Sequence, residues 1–376
     1  MASSSAHEQH PHHHHHHLRT PYGATAAPPP TPLSQPNLSS TSGHADALSL
    51  LLHRLPPTLS LPGRRSPLSN KTAAVPSVSL SEHAEVLSAC KHLGFFQLSR
   101  HSVESELANS AESLARSLFD LPRDRKQVYF PKNWPLGFDS EADDDDHAAG
   151  GAGESFCLDS ACSSEESELD LSSLRAFTRE MEKIGKEVTE ALASIVGFDN
   201  PAREDPTRVS SLLWISDGSS VSTPVLTGRM YPFAIGLQYQ IRCQKYHMLT
   251  DSGWVSISPE VDSILVTVGD IAQVWSNGKV QKVRGRAVPA GEDGSRCISI
   301  ALLITLPLDS IVSPMLPNPA NNEDEDEDIK NSNNQEHEED SKGERRMFNP
   351  FPFEDYAWRI YHERLLLKDP LLRYRV

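Results

Sequence analysis

The chain has 376 residues, of which 38% are hydrophobic, and a formal net charge of −16. That charge argues against an electrostatic nucleic-acid binder, and no apolar run reaches membrane-spanning length. The five cysteines (Cys90, Cys157, Cys162, Cys243 and Cys297) are odd in number and scattered, which suits a reducing compartment.

Residues 1–74 are rich in Pro, Ser, His and Ala with few aromatics, and disorder is the expectation there. The histidine run at 12–17, with His10, can take up nickel or zinc adventitiously and reads either as natural low complexity or as an expression tag. Acidic residues before Glu82 are limited to Glu8 and Asp46, so a plastid transit peptide is the secondary reading and the cytoplasm, with the nucleus open, the first.

Folding is expected to begin with a strand at 75–80. Ser81 then offers an N-cap for a helix over 82–93, whose apolar residues are Ala84, Val86, Leu87 and Ala89. Gly94 ends that helix and 94–98 reads as a strand. A second helix covers 104–119. Residues 139–152 contain four consecutive Asp at 143–146; they lack the alternating ligands of a calcium loop and read as solvated. The longest helix is 171–196, where Leu174, Phe177, Met181, Ile184, Val188, Ala191 and Ile195 recur at three- and four-residue steps until Gly197 stops it. Residues 210–215 read as a strand, and 217–227 are mostly Ser, Gly, Thr, Val and Pro. His247 falls in a loop and Asp251 in a turn.

From Trp254 to Pro314 the sequence reads as short β-segments separated by turns. Residues 263–268 are β-branched and apolar, closed by Gly269-Asp270. A short segment at 273–276 leads into Asn277-Gly278, a strong two-residue hairpin signal. Residues 279–288 alternate basic and apolar side chains, and 297–306 form an apolar run long enough for a buried central strand. Antiparallel hairpins joined this way build a barrel or jelly roll. The expected fold is therefore mainly β with flanking helices around a double-stranded β-helix. The second acidic insert, 317–345, carries an unbroken acidic block at 323–328 and should be disordered; a helix follows over 353–367. The expected organisation is a low-complexity segment (1–74), a helical and strand region (75–200), a jelly-roll core (201–316), the acidic insert (317–345) and a C-terminal helix packing on the core (346–376).

Trp254-Val255, Pro259, Gly269-Asp270, Gln273, Trp275-Ser276-Asn277-Gly278, Ser299-Ile300-Ala301 and the run from Pro307 through Ile311 to Pro314 resemble the core of plant-type 2-oxoglutarate/Fe(II)-dependent dioxygenases. These are isopenicillin N synthase-like proteins and include gibberellin oxidases and flavonoid oxygenases. Gly94 to Leu98, Phe119-Asp120-Leu121-Pro122 with Arg125-Lys126, and Phe353-Glu354-Asp355-Tyr356 resemble further segments of that family in the same order. The resemblance covers roughly 75–200 and 210–376, apart from the acidic inserts. One departure is His101-Ser102-Val103, where the family has His-Gly-Val.

The resemblance implies Fe(II) held by two His and one carboxylate, with open positions for 2-oxoglutarate and O₂. Counted from Asn277-Gly278, the distal His position is Gly285, which has no side chain. The proximal His-x-Asp pair has two registers. If Gly236-Leu237-Gln238 matches the strand that follows the pair by roughly sixteen residues, the positions are Ser220 and Ser222. If Tyr231-Pro232 and Gly236-Leu237 match the segment just before it, they are Gln240 and Arg242. None of these is a good iron ligand. His247 and Asp251, four apart, offer a substitute pair, but a plain loop His and turn Asp is the reading preferred. The family grips 2-oxoglutarate with an Arg two residues before a Ser. Here Ser299 fits the Ser, Cys297 falls at the Arg position, and Arg296 is one residue out of register unless a bulge restores it.

No catalytic residue and no metal ligand is therefore expected, and Arg296 with Ser299 are the candidate cosubstrate contacts. The expected protein is a dioxygenase-like chain that has lost its iron chemistry and acts as a binding or regulatory module. The alternative is an active oxygenase on a small plant metabolite or hormone, which would need Fe(II) and 2-oxoglutarate. Arg284, Arg286 and, in one register, Arg242 suggest a small anionic ligand in the barrel; a protein partner is also expected, but neither nucleic acid nor membrane.

Overall fold

The computed structural model describes residues 72–140, 153–166, 169–217, 230–288, 298–315, 346–363 and 369–376. The expectations for 1–71, for the two acidic inserts beyond those bounds and for 364–367 lie outside the described residues. The helices are α1 (His83–His92), α2 (Ser105–Asp120), α3 (Arg123–Tyr129), α4 (Ser172–Val196), α5 (Asp270–Trp275) and α6 (Phe353–Glu363).

Seven antiparallel strands form the main sheet: β1 (Phe95–Leu98), β2 (Gly137–Ser140), β3 (Glu154–Asp159), β4 (Ser210–Asp217), β5 (Ile235–Tyr239), β8 (Ile264–Val268) and β10 (Ile298–Thr305). A second sheet holds β6 (Tyr246–Thr250), β7 (Gly253–Ile257) and β9 (Arg284–Ala287), and β11 (Ile311–Val312) pairs with β12 (Phe351–Pro352). In the main sheet the order is β1-β8-β5-β10-β4-β3-β2; in the second it is β7-β6-β9. The apolar run of β10 lies between β5 and β4, as its composition predicts for a central strand. Strands from 75–200 and from 201–316 therefore share one sheet.

Helix α4 covers that sheet with Leu174, Phe177, Met181, Ile184, Val188 and Leu192, all buried. It approaches closely because Gly185 has no side chain: a Cβ there would lie 2.7 Å from Ile304 Cδ1. A separate apolar cluster of Phe95, Tyr246, Met248, Ile257, Leu265 and Val283 joins the two sheets. Antiparallel sheets facing each other over an apolar interior, with helices outside, make a double-stranded β-helix.

Several local readings need correction. Residues 75–80 are extended but form no ladder; Ser77 makes one bridge to Gln97, and Pro76 can only accept, taking Gln97 N at 2.8 Å. Helix α1 is not capped by Ser81; Glu82 reaches back instead, its Oε2 accepting from Ser79 N at 2.9 Å. Gly94 does end α1, with φ +77, and a Cβ there would lie 2.6 Å from Gln281 O. The segment after Gly269 is not a strand and hairpin but helix α5. Asn277, at φ +51, closes it in a Schellman-type turn: Asn277 N donates to Val274 O at 2.9 Å and Gly278 N to Gln273 O at 2.8 Å. Of the strand expected over 279–288, only β9 forms a ladder.

The same α5 turn also holds both ends of the excursion between β11 and β12. Met315 N donates to Trp275 O at 3.0 Å, and Met347 N donates to Asn277 Oδ1 at 2.7 Å.

Candidate functional site

Gly285 lies on β9 directly across from Met248 of β6. Gly285 is exposed, and a Cβ built on it would overlap the sulfur of Met248, the end of a flexible side chain that is itself only 2% exposed. The structure also bears on the proximal registers. Gly236, Leu237 and Gln238 belong to β5, between β8 and β10, whereas the strand hairpinned to the Trp254 strand is β6. Moving the count to Lys245, just before β6, and keeping the same separation gives Arg229 and Tyr231. Arg229 lies outside the described residues, as do Ser220 and Ser222. Tyr231 is a buried phenol, its pKa pushed up by desolvation, set edge-on against Phe353 at 6.0 Å.

The second register fares no better as a ligand pair. Gln240 is buried and committed: its Nε2 donates to Gln238 O at 3.0 Å and its Oε1 accepts from Tyr246 OH at 3.0 Å. Arg242 is ion-paired with Glu112. His247 is not a loop residue but a member of β6, with Nδ1 3.0 Å from Ser256 Oγ. Burial first, and Lys245 second, lower its pKa. Asp251 is exposed in the turn beyond β6; four steps of extended chain separate the two by about 13 Å, so they cannot chelate together.

Among the described residues no group of three His, Cys, Asp or Glu could hold a metal ion. Residues 218–229 contain none of those four residue types. Fe(II) of the family type needs imidazole and carboxylate donors, and Gly285, Tyr231, Gln240 and Arg242 do not supply that set.

Ser299 sits on β10, half-buried, and its Oγ accepts a hydrogen bond from Gln238 Nε2. The crevice beside it, lined by Glu112, Gln238, Tyr239, Arg242 and Gln244, has room for only about one or two water molecules. Arg296 and Cys297 lie outside the described residues. Of the arginines expected to favour an anion, Arg284 and Arg242 are engaged within the fold, and the side chain of Arg286 lies outside the described residues. Arg284 is 7% exposed, and its Nη2 donates to both oxygens of Asp270, at 3.0 and 2.9 Å. Lys282 adds a contact to Asp270 at 3.4 Å and is ion-paired with Asp369. Both arginines thus have carboxylate partners within the fold. The sequence did carry a signal: Lys282 and Arg284, two apart, share one side of an extended chain, and buried cations require nearby acids.

A second crevice is lined by Lys132, Trp134, Asp139, Cys157, Trp214 and Tyr361 and has space for about one water. Tyr361 OH donates to Asp139, Lys132 Nζ lies 3.0 Å from the other Asp139 oxygen, and Trp134 meets Tyr361 edge-on at 6.3 Å. The sequence reading missed this cluster, because its members come from four separate segments.

The fold is that of the non-haem oxygenases. The description "non-haem dioxygenase in morphine synthesis N-terminal" matches residues 68–150, and that of the 2OG-Fe(II) oxygenase superfamily matches residues 203–305. The two matches, together with the relatives below, support the 2-oxoglutarate/Fe(II)-dependent oxygenase superfamily for this chain. It is 28% identical to 1-aminocyclopropane-1-carboxylate oxidase 3 of Cucumis melo, over 76% of this chain and 86% of that one. Against gibberellin 2-beta-dioxygenase 6 of Oryza sativa subsp. japonica it is 26% identical, over 60% and 67% respectively. Its fold matches the rice dioxygenase for auxin oxidation with a TM-score of 0.60 at 20% identity, over 81% of this chain and 100% of that one. Neurospora crassa T7H matches at 0.57 and 17%, over 76% and 91%. No helix among the described residues is long and apolar enough to cross a membrane.

Proposed function

We propose that this 2-oxoglutarate dioxygenase-like chain retains the barrel as a binding or regulatory module and does not carry out iron-dependent oxidation. The observation that carries this reading is the pairing of Gly285 with Met248. At the position counted as the distal ligand there is no donor atom, and the adjoining space belongs to a buried methionine. A single lost ligand leaves room for a substitute; here the counted proximal positions lack the required donors too.

The relatives named above are enzymes, and the Cucumis melo protein is matched over most of its length, which favours a second reading: an active oxygenase on a small plant metabolite, with donors at other positions. Calorimetry with Mn(II) as an Fe(II) surrogate, on protein lacking the histidine run at 12–17, separates the two. The module reading expects no stoichiometric binding and no succinate formed from 2-oxoglutarate. Micromolar binding that survives the deletion and is abolished by His247→Ala, or any 2-oxoglutarate turnover, would establish the enzyme reading instead.

A further inference from the structure

Helix α6 presents Glu354, Trp358 and His362 at four-residue steps, and therefore on one face. Trp358 is 50% exposed; the other exposed large hydrophobics among the described residues are aliphatic. Its indole stacks on His362 with centroids 4.3 Å apart and planes 24° from parallel, and His362 Nδ1 lies 2.9 Å from Trp358 O. The imidazole in turn lies 6.3 Å from the ring of Trp134, which is followed by Pro135. Three rings thus lie in one row, Trp358 stacked on His362 and His362 tilted 41° from Trp134; rings already packed on one another have less freedom left to lose on binding.

The chemistry of the row narrows the partner. The adjoining crevice has room for about one water and cannot take an inserted side chain, so an occupant must lie across the rings. Pyrrolidine rings of a polyproline II segment pack on aromatic ridges in this way, and such a segment loses little entropy on binding. Glu354 and Asp355, both exposed in the first turn of α6, put negative charge at one end of the row. Complementarity there calls for a cation.

We propose that the outer face of α6, together with Trp134, docks a proline-rich segment of a partner protein that carries Lys or Arg beside its prolines. This deepens the module reading and rests on it, but the two fail separately: iron-dependent turnover bears on the module alone, and peptide binding on this face alone.

The test is fluorescence anisotropy of the full chain with a short labelled peptide of proline pairs flanked by arginines. Saturable micromolar binding is expected, weakened at least about tenfold by Trp358→Ala. Replacing Pro by Ala in the peptide should abolish binding. Glu354→Lys combined with Asp355→Lys should weaken it several-fold and flatten its salt dependence. Circular dichroism melting of each variant confirms that the fold persists. No saturation below millimolar peptide, or equal binding by the Trp358→Ala variant, overturns the proposal. Sedimentation showing self-association that Trp358→Ala abolishes would overturn it too, by assigning the face to a second copy.

Discussion

Arg284 and Asp270 meet inside the fold with one guanidinium nitrogen 3.0 and 2.9 Å from the two carboxylate oxygens, and each side chain is only 7% exposed. The acid opens α5 and the base opens β9, so the pair ties the helix to the second sheet. Lys282, 3.4 Å from the same carboxylate, leaves Asp270 serving two cations.

Asp270→Asn should therefore destabilise the protein by about 3–5 kcal/mol, because it leaves buried positive charge uncompensated. The combined Asp270→Leu, Arg284→Met variant should recover most of that loss. Urea midpoints at pH 7 for the three proteins check the ordering.

The same pair predicts an acid limb. Burial by itself would raise the Asp270 pKa, but Arg284 and Lys282 outweigh it and hold the carboxyl below its ordinary value. A carboxylate lowered in the folded state contributes stability that is fully present above its unfolded pKa of about 4. That contribution is lost as pH falls through the lower folded value. Urea midpoints followed downward from pH 5 should fall, and this part of the slope should be missing in Asp270→Asn.

Gly285→His tests the counted distal position by packing. The new Cβ meets the Met248 sulfur, the end of a flexible side chain that can shift, so the single variant should lose only about 1 kcal/mol. Adding Met248→Ala removes the collision but empties a buried position, so it should lower stability further, by about 2 kcal/mol or more, rather than restore it. Thermal melts report that order, and the double variant should still bind no stoichiometric Mn(II), since the proximal positions remain without donors.

Gly269→Ala should be the more damaging glycine substitution. A Cβ there would overlap the Phe233 carbonyl oxygen, which is backbone and cannot rotate away. A loss of about 3 kcal/mol, at the upper end for overpacking, is expected from denaturant unfolding.

Much of this architecture is legible in the sequence, for identifiable reasons. The apolar stripe of α4 repeats through 25 residues, long enough for its period to stand out. The run that becomes β10 is apolar on both faces, which only a central strand or a buried helix tolerates. Helix α5 is not legible as a helix because its 6 residues are too few to show a period. Its closing Asn277 has a positive φ, which a helix terminus needs as much as a hairpin does. The site divides in the same way. Counting can name Gly285 as a position, since a position needs only register. That Arg284 belongs to Asp270, Arg242 to Glu112 and Gln240 to Tyr246 depends on contacts between distant segments. Nothing in local composition encodes those contacts.

The excursion between β11 and β12 leaves and returns at a single turn, through Trp275 O and Asn277 Oδ1. Met315 and Met347 are thereby anchored at one turn, and the closure entropy of a chain joining two such anchors changes slowly with its length, by about 0.6 kcal/mol per doubling. This makes the pair of anchors a graft site. A whole folded domain whose own termini lie close together could be spliced between Met315 and Met347 as a reporter, with the barrel on either side left to fold as before.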